Sequence, residues 1–322
     1  MAKILIINTG GTISMSADQT TGKVAPTDKN ALDSKTSIFQ QYADVTVSDI
    51  MQLPSPFMTG ERMLELRDYI LSQYEQYDGI VITHGTDTLE ETAYFLELTL
   101  DLPIPVVVTG AMRSINEMGS DGLANLRSAI FAASAKESRG KGVLVVMNEE
   151  IHSATYVTKT HTTNLATFKT PTFGPLGLIS KNQVIYFQEL LRSEHYSVTS
   201  LDKKVALVKA YAGMEKDILE AILHNDYAGV VIEGLGAGNL PPAVVPTLEE
   251  LLKKIPVIMV SRAFNGVTED VYDYYGGGKQ LHQMGVIYTL GLSGIKARIK
   301  LMILLNAKEK VDVKEAFRHE VG

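Results

Sequence analysis

Short runs of Val and Ile recur along this chain with longer amphipathic segments between them. Parallel strands joined by helical crossovers satisfy that pattern, so the fold class is α/β. Lys3–Asn8 opens the series, and Gly79–Thr83, Ile104–Thr109 and Gly142–Met147 follow as apolar runs bounded by Gly, Pro or polar residues. Runs of this kind are expected as strands buried on both faces. Between them, Glu61–Tyr77 sets Met63, Leu66, Ile70, Tyr74 and Tyr77 at helical spacing, with Thr59 as N-cap and Glu61 favourable to the helix dipole. Thr88 followed by Glu91 has the form of a capping box, opening a helix that runs to about Leu100.

Polarity rises at Arg192-Ser193-Glu194-His195 and again at Leu201-Asp202-Lys203-Lys204, where neither structural period persists. The expected division is therefore a first domain over 1–190, a linker over 191–204 and a second domain over 205–322, in keeping with 322 residues as two domains. In the second part Val205–Tyr211, Gly229–Glu233 and Val257–Ser261 are expected strands. Met214–Asn225, Leu248–Lys254 and Ser293–Ala307 are expected helices.

Composition narrows the function. The net charge of -7 comes without any block of five or six Lys or Arg, so no nucleic-acid surface is expected and the partner is small. No cysteine is present, which excludes disulfides, thiolate metal sites and a Cys nucleophile. The longest apolar runs, such as Val143–Met147 and Leu301–Leu305, fall far short of the about 20 residues that span a bilayer, so no membrane partner is expected. Ile4–Ile7 is likewise too short for a signal-peptide core of about 7 to 15 residues, and the expected location is cytoplasmic.

Three segments carry chemistry. The first strand runs into Thr9-Gly10-Gly11-Thr12, where two glycines let a ligand approach the backbone at a strand's carboxyl end and Thr12 presents a hydroxyl. The spacing matches neither a dinucleotide loop nor a P-loop, and a plain tight turn is the competing reading. Thr83-His84-Gly85-Thr86-Asp87-Thr88 likewise follows a strand and precedes a helix, where Thr86 and Asp87 serve equally as helix caps or as anion-stabilising groups. Val157-Thr158-Lys159-Thr160 sets one lysine in a β-branched run, suited either to an edge strand or to a balanced pair with Asp87. The seven histidines form no H-E-x-x-H and no two-His helical pair, so no metal is implied.

Read together, Thr9-Gly10-Gly11-Thr12-Ile13, the stretch from Val81 to Leu96, Val157-Thr158-Lys159-Thr160 and Ala166-Thr167-Phe168-Lys169-Thr170 resemble the bacterial-type L-asparaginase (asparaginase/glutaminase) family. The likeness continues through Val106–Arg113, Ser120–Leu126, Gly142–Asn148, Phe173–Gly177 and Glu233–Leu240. It implies a larger N-terminal domain with a flavodoxin-like, mainly parallel sheet and helices on both faces, and a smaller C-terminal α/β domain. It further implies a cofactor-free amidohydrolase that converts L-asparagine to L-aspartate and ammonia through a threonine acyl-enzyme. Thr12 matches the acylated threonine, and Thr86, Asp87 and Lys159 match the second catalytic set. The implied substrate-binding residues are Gly11, Ser55, Gly85, Thr86, Asp87, Ala111 and Asn239, the last contributed near a neighbouring subunit's site of a homodimer or homotetramer.

The chain departs from the family pattern in Asp18–Lys23, which has no tyrosine, Gln19 standing nearest its position, and at Pro56, where a glutamine usually follows Ser55. Tyr274 or Tyr275, in Glu269–Tyr275, is expected to supply the missing hydroxyl. Alternatives are a broad glutaminase-asparaginase acting also on L-glutamine, a non-catalytic amino-acid-binding protein, and an amidase subunit of a tRNA-dependent amidotransferase. The set Thr12, Thr86, Asp87 and Lys159 argues against the second, and the lack of a basic surface against the third.

Overall fold

The computed structural model describes residues 1–17, 24–25, 36–191 and 194–318. It divides into two compact units, Met1–His195 and Tyr196–Gly322. In the first unit the strands are β1 (Lys3–Gly10), the short ladder β2 (Ser16–Ala17) and β3 (Val24–Ala25), β4 (Asp44–Leu53), β5 (Gly79–Thr83), β6 (Val106–Thr109), β7 (Val143–Met147), β8 (Glu150–Ser153), β9 (Thr158–Lys159), β10 (Phe168–Lys169), β11 (Gly177–Ser180) and β12 (Gln183–Tyr186). The helices are α1 (Gly60–Gln73), α2 (Leu89–Thr99) and α3 (Gly122–Ser134).

The main sheet has the order β12-β11-β8-β7-β6-β5-β1-β4. Its section β4-β1-β5-β6-β7 is parallel throughout, the doubly wound, flavodoxin-like order 2-1-3-4-5. β8, β11 and β12 extend it by antiparallel pairing. Two-residue turns make that extension: Asn148 and Glu149 take φ of 50 and 64, Lys181 and Asn182 take 46 and 69, as primed hairpin turns require.

Why the central strands read as unbroken apolar runs follows from register. Ile6, Val81, Val107 and Leu144 form one row across β1, β5, β6 and β7, and they bury against Leu126, Ala129, Ile130 and Ala133 of α3. Side chains alternate faces along a strand, yet the intervening Leu5, Ile80, Ile82, Val108 and Val145 are buried as well. The second face therefore has its own cover, with α2 packed on β6 and β7 and α1 packed on α2.

Local signals held unevenly. The Thr59 hydroxyl caps α1 by accepting from the Arg62 amide, and the helix closes at Gln73 with a 3-10 turn at Tyr74–Gln76, short of the Tyr77 expected from periodicity. Thr88 is the N-cap residue of α2, but it makes no capping box: its hydroxyl donates instead to the Ser55 carbonyl at 2.8 Å. A tertiary bond has taken the side chain that the local pattern assigned to the helix end.

The second unit carries a four-stranded sheet in the order β13-β14-β15-β16, parallel throughout, from Lys204–Lys209, Tyr227–Gly234, Val257–Ser261 and Ile287–Tyr288. Its helices are α4 (Asp217–Leu223), α5 (Val245–Leu252), α6 (Gly278–Met284), α7 (Gly294–Asn306) and α8 (Val313–Arg318). α4 is shorter than the expected Met214–Asn225, and α5 lies earlier than the expected Leu248–Lys254 because Pro246 occupies its opening turn, where the missing N–H costs nothing.

Leu144, fully buried in the shared row under α3, is expected to cost about 3 kcal/mol when truncated to Ala. Urea unfolding monitored by circular dichroism measures this. A loss under about 1 kcal/mol would mean that the row is not tightly packed.

Candidate active site

In a doubly wound sheet the ligand crevice lies at the carboxyl ends of the strands where strand order reverses, here between β1 and β5. The two chain segments leaving those strands are Gly10-Gly11-Thr12 and His84-Gly85-Thr86-Asp87. They touch backbone to backbone: a Cβ on Gly11 would lie 2.3 Å from the Gly85 Cα, and one on Gly10 would lie 2.3 Å from the Leu53 amide nitrogen. Both glycines also take positive φ, 108 and 86, so the contact and the conformation each require glycine. A Cβ on Gly85 would fall 2.8 Å from the Ser55 Oγ, which brings in the segment after β4 as a third wall.

Hydrogen bonds lock these walls. Thr83 Oγ1 donates to Asn8 Oδ1 at 2.8 Å, Asn8 Nδ2 donates to Asp49 Oδ1 at 2.6 Å, and Thr9 Oγ1 donates to the Thr83 carbonyl at 2.8 Å. Ser55 is buried, and its Oγ accepts from the Asp87 amide at 3.2 Å. The Gly11 amide donates to the Leu53 carbonyl at 3.0 Å, so it is not available as an oxyanion donor. Thr12 opens a 3-10 turn, Thr12–Ser14, whose first amides have no partner within the turn.

Lys159 reaches this place from β9. Its Nζ donates to Thr86 Oγ1 at 2.9 Å and to Asp87 Oδ1 at 2.7 Å. The lysine side chain is 16% exposed against 63% for Asp87, so the ion pair runs from a sheltered cation to a wet carboxylate. Such a pair contributes little to stability, since its acid end stays in water. It does hold the ammonium hydrogens on the Thr86 oxygen and leaves the Thr86 proton free to be given away. Among the described residues none hydrogen-bonds the Thr12 hydroxyl, which is half-buried.

Ala111, also buried, follows β6 in a loop fixed by Asp121, whose carboxylate accepts from the Met112 and Arg113 amides at 3.0 Å each. Asn125 secures the same loop by donating to the Gly110 carbonyl at 3.0 Å. His84 is structural: its ring bridges the Gly85 carbonyl and Thr92 Oγ1, and burial lowers its pKa to about 4, so it is neutral at pH 7. Among the described residues no group of three or more His, Asp or Glu side chains is placed to hold a metal.

Asn239, Tyr274 and Tyr275 belong to the second unit. Asn239 is buried, accepting from the Gly278 amide at 3.0 Å and donating to the Leu235 carbonyl at 3.3 Å, whereas the two tyrosines are half exposed. The stretch Asp18–Lys23, with Gln19, and the linker residues Arg192 and Ser193 lie outside the described residues.

Two further acids grip the β9–β10 hairpin. Glu90, buried in the first turn of α2, accepts on one oxygen from the Lys159 amide at 3.0 Å and from Thr158 Oγ1 at 3.1 Å. On the far side of the β9–β10 hairpin, Glu150 accepts from Lys169 Nζ at 2.8 Å and lies 3.3 Å from the ring of buried His152. Nothing in the sequence marks either one, since both look like ordinary solvent-facing acids.

Residues 3–192 match the family model described as Asparaginase, N-terminal, and residues 204–317 match Glutaminase/Asparaginase C-terminal domain. The chain is 35% identical to an L-asparaginase of Bacillus licheniformis over 98% of each chain. It is 32% identical to a glutaminase-asparaginase of Pseudomonas fluorescens biotype A, covering 99% of this chain and 90% of that one. A crystal structure of a probable cytoplasmic L-asparaginase from Campylobacter jejuni superposes with a TM-score of 0.88 at 33% identity, over 99% of both chains.

The Glu150 cluster gives a pH test. Hydrogen bonding to His152, with Lys169 beside it, lowers the Glu150 pKa from 4.5 to about 2. A carboxyl with a lowered folded pKa stabilises the fold fully above its unfolded pKa and loses that contribution as pH falls through the folded value. Glu150→Gln is therefore expected to melt below the parent at pH 7, with the gap closing as pH drops from 4.5 towards 2. A gap that stays constant across that window in thermal scans would contradict the assignment.

Proposed function

The chain belongs to the asparaginase family, and on that premise we propose that it hydrolyses the side-chain amide of L-asparagine to L-aspartate and ammonia through an ester on Thr12. The observation that carries this reading is Lys159 Nζ bonded at once to Thr86 and Asp87, beside the glycine turn that presents Thr12.

Thr12 Oγ attacks the amide carbon, and its proton passes to the leaving nitrogen, which departs as ammonia. A hydroxyl is a poor nucleophile at its free pKa, so a base must accept that proton during attack. The negative charge on the carbonyl oxygen needs fixed donors, and the opening amides of the Thr12–Ser14 turn supply donors at this place. Water then attacks the β-aspartyl ester, and Thr86, held by Lys159, relays the proton: its hydroxyl gives its own proton to the departing Thr12 oxygen as it takes one from the water. Ser55 and Asp87 receive the substrate's α-carboxylate and α-amino groups, and Gly11, Gly85 and Ala111 give the backbone its close approach.

Asn239 and one of Tyr274 or Tyr275 complete the site of a neighbouring subunit in a homodimer or homotetramer, the tyrosine standing in for the loop tyrosine that Asp18–Lys23 lacks. The domains that divide this labour are 1–190 and 205–322, with 191–204 as linker. Cytoplasmic location is part of the proposal, supported by the Campylobacter jejuni relative; cell fractionation tests it. A second reading, activity on L-glutamine as well, is favoured by the likeness to the Pseudomonas fluorescens protein. One methylene discriminates by about 10 to 200-fold in a simple pocket, so ammonia release from the two amides across concentration separates the readings.

Thr12→Ala and Lys159→Met are each expected to lower turnover by about 10³-fold or more while the melting temperature stays near the parent's. Near-normal turnover in either would remove that residue from the mechanism. Of Tyr274→Phe and Tyr275→Phe, one is expected to slow ammonia release by about 10²-fold, as loss of a positioned acid-base group does. Unchanged rates in both would end the substitution idea.

A further inference from the structure

Glu90 stands apart from the acids that solvate this protein's surface. It is 5% exposed, it sits in the first turn of α2, and α2 begins directly after Thr86-Asp87-Thr88. Its Oε1 accepts from the Lys159 amide at 3.0 Å and from Thr158 Oγ1 at 3.1 Å. Its Oε2 is buried with no hydrogen-bond partner among the described residues. A half-satisfied buried carboxyl costs stability, so its presence calls for an explanation other than stability.

The strand that Glu90 grips offers one. β9 is two residues long, and its ladder consists of Phe168 opposite Lys159 and Lys169 opposite Thr158. A ladder this short gives little hold on a flexible four-carbon side chain whose Nζ must meet Thr86 Oγ1 and Asp87 Oδ1 together. The ammonium and its two acceptors lie 73 and 72 residues apart in the chain, so no local turn sets their distance. Glu90 supplies the connection. Through one oxygen it fastens the backbone of the lysine's own residue to the helix whose start carries the acceptors.

We propose that Glu90 is the positioning residue for Lys159, a carboxyl that ties β9 to the first turn of α2 and so fixes the reach of the ammonium to Thr86. The proposal rests on the reading of Lys159, Thr86 and Asp87 as the hydrolytic set. It concerns geometry and not charge: the two donors need an acceptor oxygen at that point, which a glutamine amide also provides.

The test is steady-state hydrolysis of L-asparagine by Glu90→Ala, Glu90→Gln and Thr158→Val, with thermal melting of each and with Lys159→Met in parallel. Glu90→Ala is expected to lower kcat by about 30-fold or more with KM within about 3-fold, since a misplacement near 1 Å costs about 10²-fold. Glu90→Gln should keep kcat within about 3-fold of the parent, and Thr158→Val, which loses one of the two bonds, should fall between. Parental kcat in folded Glu90→Ala overturns the proposal, as does a Glu90→Gln as slow as Glu90→Ala, or a loss carried by KM. If Glu90→Ala does not fold, Thr158→Val decides, and an unchanged kcat there overturns the proposal. An active Lys159→Met refutes the reading of the site itself, whereas an inactive one beside a normal Glu90→Ala refutes the positioning role alone.

Discussion

Three chain segments meet at the carboxyl end of the parallel sheet across contacts that only glycine allows. Gly11 lies against Gly85, Gly10 against Leu53, and Gly85 against Ser55, each so close that a single methyl would collide with main-chain or Ser55 atoms. This contact is what lets β1, β4 and β5 deliver a threonine, a serine and a threonine–aspartate pair to one place. It stands at the reversal of strand order, where helices cross to opposite faces and leave a crevice. The polar chain Asp49–Asn8–Thr83, buried at Asn8 and Thr83, then fixes the strand ends, so the glycines provide approach and the side-chain bonds provide rigidity.

Lys159 arrives by another route, on a two-residue strand outside the main sheet, and is held from two directions. On one side Glu90 binds its backbone; on the other, β10 carries Lys169 to Glu150, which in turn lies beside His152 of β8. The ion pair with Asp87 is mostly wet on the acid side and adds little to folding, so its value is in orientation. A rigid sheet end and a clamped hairpin together meet the need of acyl-transfer chemistry for groups set before the substrate arrives.

Much of this was legible in the chain. The central strands declared themselves because burial on both faces removes polar residues, and Thr12, Thr86 and Asp87 stood out as hydroxyl and carboxyl groups at strand ends. β4 gave no such signal: it is an edge strand, and its run Asp44–Leu53 mixes exposed and buried positions without a clean period. The β7–β8 hairpin was hidden because Asn148-Glu149 is not a typical turn pair although both residues take positive φ. Thr88 satisfied the capping pattern but serves Ser55, since a tertiary acceptor outbid the local one. Lys159 could be singled out, yet its pairing with Asp87 across 72 residues is a property of the fold. Glu90 looked like any acid in a helix's first turn, and Ser55, Ala111 and Asn239 came from family resemblance and from no local signal.

In the proposed mechanism Thr12 is acylated while Lys159, through Thr86, governs release of the acyl group. Its most direct test is rapid-quench mass spectrometry of the Lys159→Met protein mixed with L-asparagine, followed by peptide mapping. An adduct with the mass of a β-aspartyl group is expected to accumulate on the peptide that holds Thr12. A folded Lys159→Met protein that turns over asparagine with no adduct, or that carries the adduct on Thr86, would contradict it.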